Sequence, residues 1–552
     1  MKMAPLQAME FPSGGAPPLV EALAPPTVVI PVVSGVCSIE VSVLTDILRR
    51  GAVRVILASC SCSGVVCDDS SSSFSNLKPP TSKNKTITCT RGLKITADTT
   101  IEEAIAEGGR SPFAAVAVPG GMPGAAKLAN CKTLVNELVR RHKNKALVAA
   151  QCAAPAVVLA PLGILDGAEL ACVSPAFEDQ LPQGVSVPLK PLNRQQREDI
   201  ENPVPEHIRE AYLKLQPPRE KEDVHFDEKT NVLTARGVGA VTEYAFKLLS
   251  LVKGEHVAAE VKFAMAGWDA SPDGKVPCMA RYYRPGARDP RGIYDADDEE
   301  FRNPDCSVLV PLAYGSDVAN AVVLVDLLRR ANAEVVLASI EATREIVGVR
   351  DLRVTADCDI ESCTSRTWDA VICPGGQPGT SRLASNRHVV DLLTQQRDSM
   401  RMHGAMDEGG AVILAPNGLL DRRVVVYDSG ESDPRYDAIV AEEGEVDPSM
   451  VPYGRLRRRF GTPSDGPVRV SCNRAYAHAV PKALKHETKY DPSEFLVTVD
   501  GPCVTCRGAG CAFEMACTVA SYVLCHDGVD ETSWMDRVLS DLTCPRHMAF
   551  FA

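Results

Sequence analysis

The chain contains one segment twice, and only one copy holds a nucleophile. Residues 143–166 read KNKALVAAQCAAPAVVLAPLGILD and residues 398–421 read DSMRMHGAMDEGGAVILAPNGLLD. Aligned without a gap, Ala150, Ala156, Leu159, Pro161, Gly163 and Asp166 recur as Ala405, Ala411, Leu414, Pro416, Gly418 and Asp421, and Cys152 falls on Asp407. Further matches keep the same order: SVLTDILRRGAVRVILAS (42–59) with VVLVDLLRRANAEVVLAS (322–339), RGLKITAD (91–98) with RDLRVTAD (350–357), FAAVAVPGGMPGAAKLA (113–129) with WDAVICPGGQPGTSRLA (368–384), and LTARGVGAVTEYA (233–245) with CVTCRGAGCAFEMA (503–516). Ordered matches across roughly 240 residues per copy mean two homologous domains, not a short solenoid repeat. Whatever fold the first half adopts, the second must adopt too.

The boundaries follow from the repeat. Residues 1–26 form a Pro/Ala-rich tail expected to be disordered, 27–266 the first domain, 267–304 a linker, 305–541 the second domain and 542–552 a C-terminal tail. The first copy carries 21 extra residues between its matched positions, within a polar insertion at 67–86; the second has a longer polar excursion from about 430 to 495. Within the first copy, short β-branched runs (Thr27–Val33, Val53–Ala58, Ala115–Val118, Ala146–Ala150) alternate with amphipathic stretches at Glu40–Arg50 and Lys132–Arg141. That alternation predicts βαβ units around a mostly parallel sheet, an α/β fold in each half.

A net charge of −12 argues against a general nucleic-acid binder. The run Arg455-Leu456-Arg457-Arg458-Arg459 reads as a solvated face in the polar excursion. Twenty cysteines in a large globular composition do not resemble a secreted disulfide scaffold. The N-terminus shows no apolar run of a signal peptide. Residues 147–165 are apolar enough to suggest a membrane span, but Pro155, Pro161 and the break at Gln151-Cys152 make them a buried strand, a turn and a buried helix. A cytoplasmic protein without membrane contact is expected.

The chemistry centres on Cys152. A strand ending at Gln151, then Cys152, then small Ala153 and Ala154 opening a helix is the pattern of a nucleophile elbow, where small neighbours permit the tight turn that lifts the side chain above the sheet. A helix N-terminus there is expected to favour thiolate and lower the thiol pKa, and Pro155 suits the first helical turn. Gly120 and Gly121 follow an apolar strand, where glycine permits close backbone approach; their recurrence as Gly375 and Gly376 is equally consistent with a structural role.

Together, Gly35 to Arg50 (GVCSIEVSVLTDILRR), Val118-Pro119-Gly120-Gly121, Ala150-Gln151-Cys152-Ala153-Ala154-Pro155 and Arg236-Gly237-Val238-Gly239 resemble the ThiJ/PfpI superfamily, of class I glutamine amidotransferase-like fold, and more closely its parkinsonism-associated deglycase subgroup. The resemblance implies a flavodoxin-like α/β sandwich in each half, with Cys152 as nucleophile, Glu40 as its hydrogen-bonded carboxyl partner, and the N–H groups of Gly120, Gly121 and Ala153 as an oxyanion pocket. It implies cofactor-free, glutathione-independent chemistry on small reactive carbonyls such as methylglyoxal. The alternative is a non-catalytic oxidative-stress sensor or chaperone acting through Cys152 oxidation; a cysteine peptidase is a third reading. Against the peptidase, the position where many family members carry histidine is Ser174 here, and a hydroxyl does not replace imidazole in acid/base steps. A histidine from elsewhere in the chain, such as His207 or His225, folding into the site is a further source of an imidazole.

In the second copy Asn320 replaces Glu40, Asp407 replaces Cys152 and Glu408 replaces Ala153, so a retired site is expected. Its job is then to pair with the first copy inside one chain, as the family's dimers do. Cys503, Cys506, Cys511 and Cys517 match apolar positions of the first copy and read as core residues, not a metal site. Cys37, three residues before Glu40, is a candidate resolving thiol for oxidised Cys152.

Overall fold

A computed structural model of the chain describes residues 24–61, 85–109, 112–170, 223–266, 306–331, 333–420, 468–473, 479–480, 490–492 and 497–524. The expectations for Ser174, His207, the 455–459 run, the linker, the C-terminal tail and most of the N-terminal tail and of both polar insertions lie outside those residues.

The first repeat supplies β1 (Thr27–Val32), β2 (Arg54–Ser59), β3 (Thr86–Thr88), β4 (Lys94–Thr96), β5 (Thr99–Thr100), β6 (Ala115–Val118), β7 (Val148–Gln151), β8 (Val224–Asp227) and β9 (Val232–Ala235). The second supplies β10 (Ser307–Leu312), β11 (Glu334–Ser339), β12 (Glu345–Val347), β13 (Arg353–Thr355), β14 (Cys358–Asp359), β15 (Ala370–Cys373), β16 (Met402–Ala405), β17 (Val468–Val470), β18 (Tyr490–Pro492), β19 (Val497–Asp500) and β20 (Cys503–Cys506). Two seven-stranded sheets result, ordered β5-β2-β1-β6-β7-β9-β8 and β14-β11-β10-β15-β16-β20-β19. Each is parallel apart from one antiparallel edge hairpin, β8–β9 and β19–β20. The central strands β6 and β7 are buried along their whole length, as a sheet covered on both faces requires. This is the expected doubly covered α/β fold in both halves.

Residues 147–165 divide as the prolines require. They form β7, a turn at Cys152, a short π-type turn over Pro155–Leu159 and a 3₁₀ turn at Ala160–Leu162 closed by Gly163 at φ +68°. The sequence expectation of an α-helix directly after the elbow is thus replaced by wider, then tighter turns. Among the described residues no helix is long and apolar enough to cross a membrane.

The repeats meet through the first helix of each, Ser38–Arg50 and Val318–Arg330, which pack against each other. In both, the first eleven residues are buried on every side, because one face covers its own sheet and another covers the partner helix. The small sheet β12-β13-β4-β3 crosses the junction, with Val354 opposite Ile95. At the helix ends, Arg50 bonds Asp46 at 2.7 Å and Asp317 of the other repeat at 2.9 Å, while Arg350 bonds Asp317 at 3.0 Å and closes on Asp46. Two buried carboxylates from different repeats are therefore held between two arginines.

One buried acid has no such partner. Glu514, on the helix Ala512–Leu524, is 6% exposed and its Oε2 makes no hydrogen bond. Burial pushes its carboxyl up to about 7, from 4.5. A native state that holds this proton more tightly than the unfolded chain loses stability as pH rises from about 4.5 through 7. Glu514→Gln removes that loss, so its advantage over wild type in thermal unfolding grows by about 2–3 kcal/mol between pH 5 and pH 8. A difference independent of pH would contradict the assignment.

Candidate active site

Cys152 stands at the end of β7 with φ +57°, a left-handed conformation that a non-glycine residue holds at a cost of about 1–3 kcal/mol. Its backbone N–H donates to Ala235 O at 2.9 Å, fixing the turn to β9. The elbow expected from Gln151-Cys152-Ala153 is present, and the residue as a whole is partly exposed.

Gly120 and Gly121 explain themselves by contact. A Cβ on Gly120 would stand 2.6 Å from the Cys152 Cβ and 2.9 Å from Gln151 O, so only glycine lets the β6 loop lie against the elbow. Gly121, at φ +89°, would place a Cβ 2.3 Å from Cys37 N. Cys37 N in turn donates to Gly120 O at 3.0 Å, tying the start of the helix that carries Glu40 to the loop beneath Cys152. Gly121→Ala thus combines an unfavourable φ with a backbone clash; we expect a loss of roughly 3 kcal/mol in chemical denaturation, and a loss below about 1 kcal/mol would mean the loop is free to move.

Glu40 lies on the first turn of helix Ser38–Arg50 and is fully buried. Its Oε2 accepts from Gly120 N at 2.6 Å, while Oε1 makes no hydrogen bond of ordinary geometry. Burial drives the carboxyl up; Gly120 N–H, the Cys152 side chain, Arg330 and Gln151 pull it back, leaving it at about 7. A buried carboxyl with one orphaned oxygen is best satisfied by a proton on that oxygen.

Two expectations change here. Gly120 N–H is committed to Glu40 and not to a substrate oxygen; the N–H groups that face the Cys152 sulfur are those of Gly121 and Ala153. The thiol is also not lowered. Burial and the Glu40 charge push Cys152 up, and the Gly121 and Ala153 N–H groups only partly offset them. The turn after the elbow supplies the Ala153 N–H and the loop after β6 the Gly121 N–H, not the full end of an α-helix, so the dipole is weaker than the sequence suggested. Thiolate at Cys152 then requires Glu40 to be protonated: the two groups share one proton.

Three residues near this pair were not evident from sequence. Tyr244 is fully buried with its hydroxyl unbonded and is pushed up by burial and by Glu40. The signal was available, since Tyr244 stands where the second copy has apolar Met515. Gln151 lies beside Glu40. Arg330 comes from the other repeat, its Nη2 3.8 Å from the Cys37 sulfur. Cys37 itself is 1% exposed and its thiol is raised by burial and Glu40. His225 lies on edge strand β8, 3.7 Å from Glu169.

The second copy keeps the frame and loses the chemistry of the thiol. Asp407 has φ +54°, Gly375 sits under it with a Cβ position 2.6 Å from the Asp407 Cβ, and Gly375 O accepts from Asp317 N at 2.6 Å. Burial and Glu408 raise Asp407 to about 7, against an amide hydrogen bond of 2.7 Å from Asn473. Thr380 donates to Glu408 Oε1 at 2.6 Å. Asn320 occupies the Glu40 position. Cys503, Cys506, Cys511 and Cys517 are buried in strand and helix packing, and among the described residues no group of three or more His, Cys, Asp or Glu could hold a metal.

The DJ-1/PfpI family model matches residues 26–251 and 306–446, one stretch in each repeat. The chain belongs to the DJ-1/PfpI family. It is 25% identical over 432 residues to protein DJ-1 homolog A of Arabidopsis thaliana, covering 77% of this chain and 91% of that protein. To protein DJ-1 homolog B of the same plant it is 26% identical over 394 residues, covering 71% and 73%. A glutathione-independent glyoxalase DJR-1.2 of Caenorhabditis elegans is 29% identical over 120 residues, 22% of this chain and 62% of that one. In this DJ-1/PfpI protein the match runs through both elbows, that of Cys152 and that of Asp407.

Proposed function

We propose that the first repeat is a thiol-dependent, cofactor-free enzyme that converts small dicarbonyls such as methylglyoxal to hydroxy acids without glutathione, and that the second repeat supports it structurally. The observation that carries this reading is the pairing of an elbow cysteine with a buried carboxyl held at about 7, close to the pH at which a group both takes and returns protons. The glyoxalase name borne by the Caenorhabditis elegans relative agrees with it.

Glu40 accepts the Cys152 proton as the sulfur attacks the aldehyde carbon, forming a C–S bond and an oxyanion that the Gly121 and Ala153 N–H groups receive. Glu40 returns that proton to the oxyanion, giving the hemithioacetal. As carboxylate it then removes the hydrogen of the former aldehyde carbon as a proton, leaving an enediolate, and delivers it to the former ketone carbon while the hydroxyl proton moves from the first oxygen to the second. The resulting thioester is released by water as lactate and free thiol. Methylglyoxal plus water equals lactic acid, so no external oxidant or reductant is consumed. Because burial and the Glu40 charge disfavour thiolate, the proton transfer must accompany attack, and slow turnover follows.

Purified protein incubated with methylglyoxal in the absence of glutathione is expected to form lactate. No lactate, together with Cys152 oxidised by dilute peroxide to a stable sulfinate, would replace this reading with a redox-sensing one.

A further inference from the structure

In the second repeat, away from both elbows, Cys358 and Cys363 bring their sulfurs to 3.4 Å. Cys358 opens edge strand β14 and is partly exposed; Cys363 closes the following 3₁₀ turn and is 2% exposed. The turn is fixed by several bonds: Ser362 Oγ to Asp359 O at 2.7 Å, Thr364 Oγ1 to Glu361 O at 2.8 Å, and Trp368 Nε1 to Cys363 O at 3.1 Å. Cations flank it, since Arg344 interacts with Cys358 and Arg366 with Cys363. The fold does not need thiols here: the matching positions of the first repeat are Thr99 and Ala104.

We propose that Cys358 and Cys363 are a peroxide-oxidisable dithiol that closes to an intrachain disulfide independently of Cys152. A disulfide needs about 2.05 Å between sulfurs, so closure draws the pair together by roughly 1.4 Å from 3.4 Å, a movement that side-chain rotation can supply. Cys358, the accessible sulfur, attacks one peroxide oxygen as thiolate; the O–O bond breaks, giving Cys358 sulfenic acid and water or an alcohol. The Cys363 sulfur then attacks the sulfenic sulfur, the S–S bond forms, and the departing hydroxide leaves as water with the Cys363 proton. The two thiols lose two electrons and two protons, and the peroxide takes both. Burial and Cys358 raise the Cys363 thiol to about 12, so the less buried Cys358 is the one that meets peroxide first.

Trypsin provides a direct test, because Arg353 and Arg366 bracket a peptide, residues 354–366, that contains Cys358 and Cys363 and no other cysteine. Full-length protein is treated with hydrogen peroxide, its remaining thiols blocked with N-ethylmaleimide, and digested. The expected peptide is lighter by two hydrogens, carries no maleimide, and becomes doubly labelled after dithiothreitol; Cys152→Ala protein gives the same result. In Cys363→Ser, Cys358 sulfenic acid accumulates and is trapped by dimedone. A doubly labelled wild-type peptide, a stably oxygenated Cys358 beside a labelled Cys363, or linkage of either to another cysteine would overturn the proposal. These outcomes are separate from lactate formation, so either idea can fail alone.

Discussion

Cys152→Ala protein forms no lactate above the uncatalysed background, yet unfolds at nearly the wild-type temperature. The substitution removes the only sulfur at the elbow and leaves the left-handed backbone, which alanine adopts with the same strain as cysteine. The Ala235 O and Gly120 contacts use main chain and Cβ, and both persist. Glu40→Gln is the informative companion. It keeps the shape and an oxygen that can accept from Gly120 N, but it cannot carry the shuttled proton. Its kcat/KM should fall by roughly 10²–10⁴, and the wild-type activity change near pH 7, set by Glu40 at about 7, should vanish from its pH profile. Lactate formation surviving in Cys152→Ala would sink the nucleophile assignment. Activity within about threefold of wild type in Glu40→Gln would leave Cys152 acting with some other proton carrier.

The largest stability effect is expected at the junction of the repeats. Arg350→Met leaves Asp46, 5% exposed, and Asp317, 3% exposed, with Arg50 as their shared cation. Burial and the neighbouring Asp46 already push Asp317 up, while Arg50 and Arg350 together outweigh burial at Asp46. Removing one cation from such a buried set costs about 3–5 kcal/mol, because the uncompensated charge stays behind. Denaturant titration should show that loss, and adding Asp46→Asn to Arg350→Met should recover a substantial part of it. A loss under about 1 kcal/mol would mean that water enters the junction and screens the pair. Since Glu40 lies in the first turn of one of the two joined helices, the same variant should also lower activity.

The duplicated sequence was enough to determine the two-domain α/β plan, the strand–elbow sequence at Cys152 and the loss of the thiol in the second copy. Those features depend on local patterns: short β-branched runs alternating with amphipathic stretches, small residues around a turn, and a nucleophile that either is or is not written at position 152. Even the insertion in the first repeat was legible as a shift in register between copies. Proton affinities were not legible in this way. Sequence placed Cys152 at a helix start and so suggested a lowered thiol, whereas burial and the charge of Glu40, 112 positions earlier in the chain, set the opposite direction. Sequence assigned Gly120 to an oxyanion, but the folded loop spends that N–H on Glu40. Arg330 and Tyr244 reach the site across a domain junction and from a distant helix, and the 3.4 Å approach of Cys358 to Cys363 depends on one turn's conformation. Local pattern decides which elements form; desolvation and charge act through space, and only the packed chain fixes which groups share it.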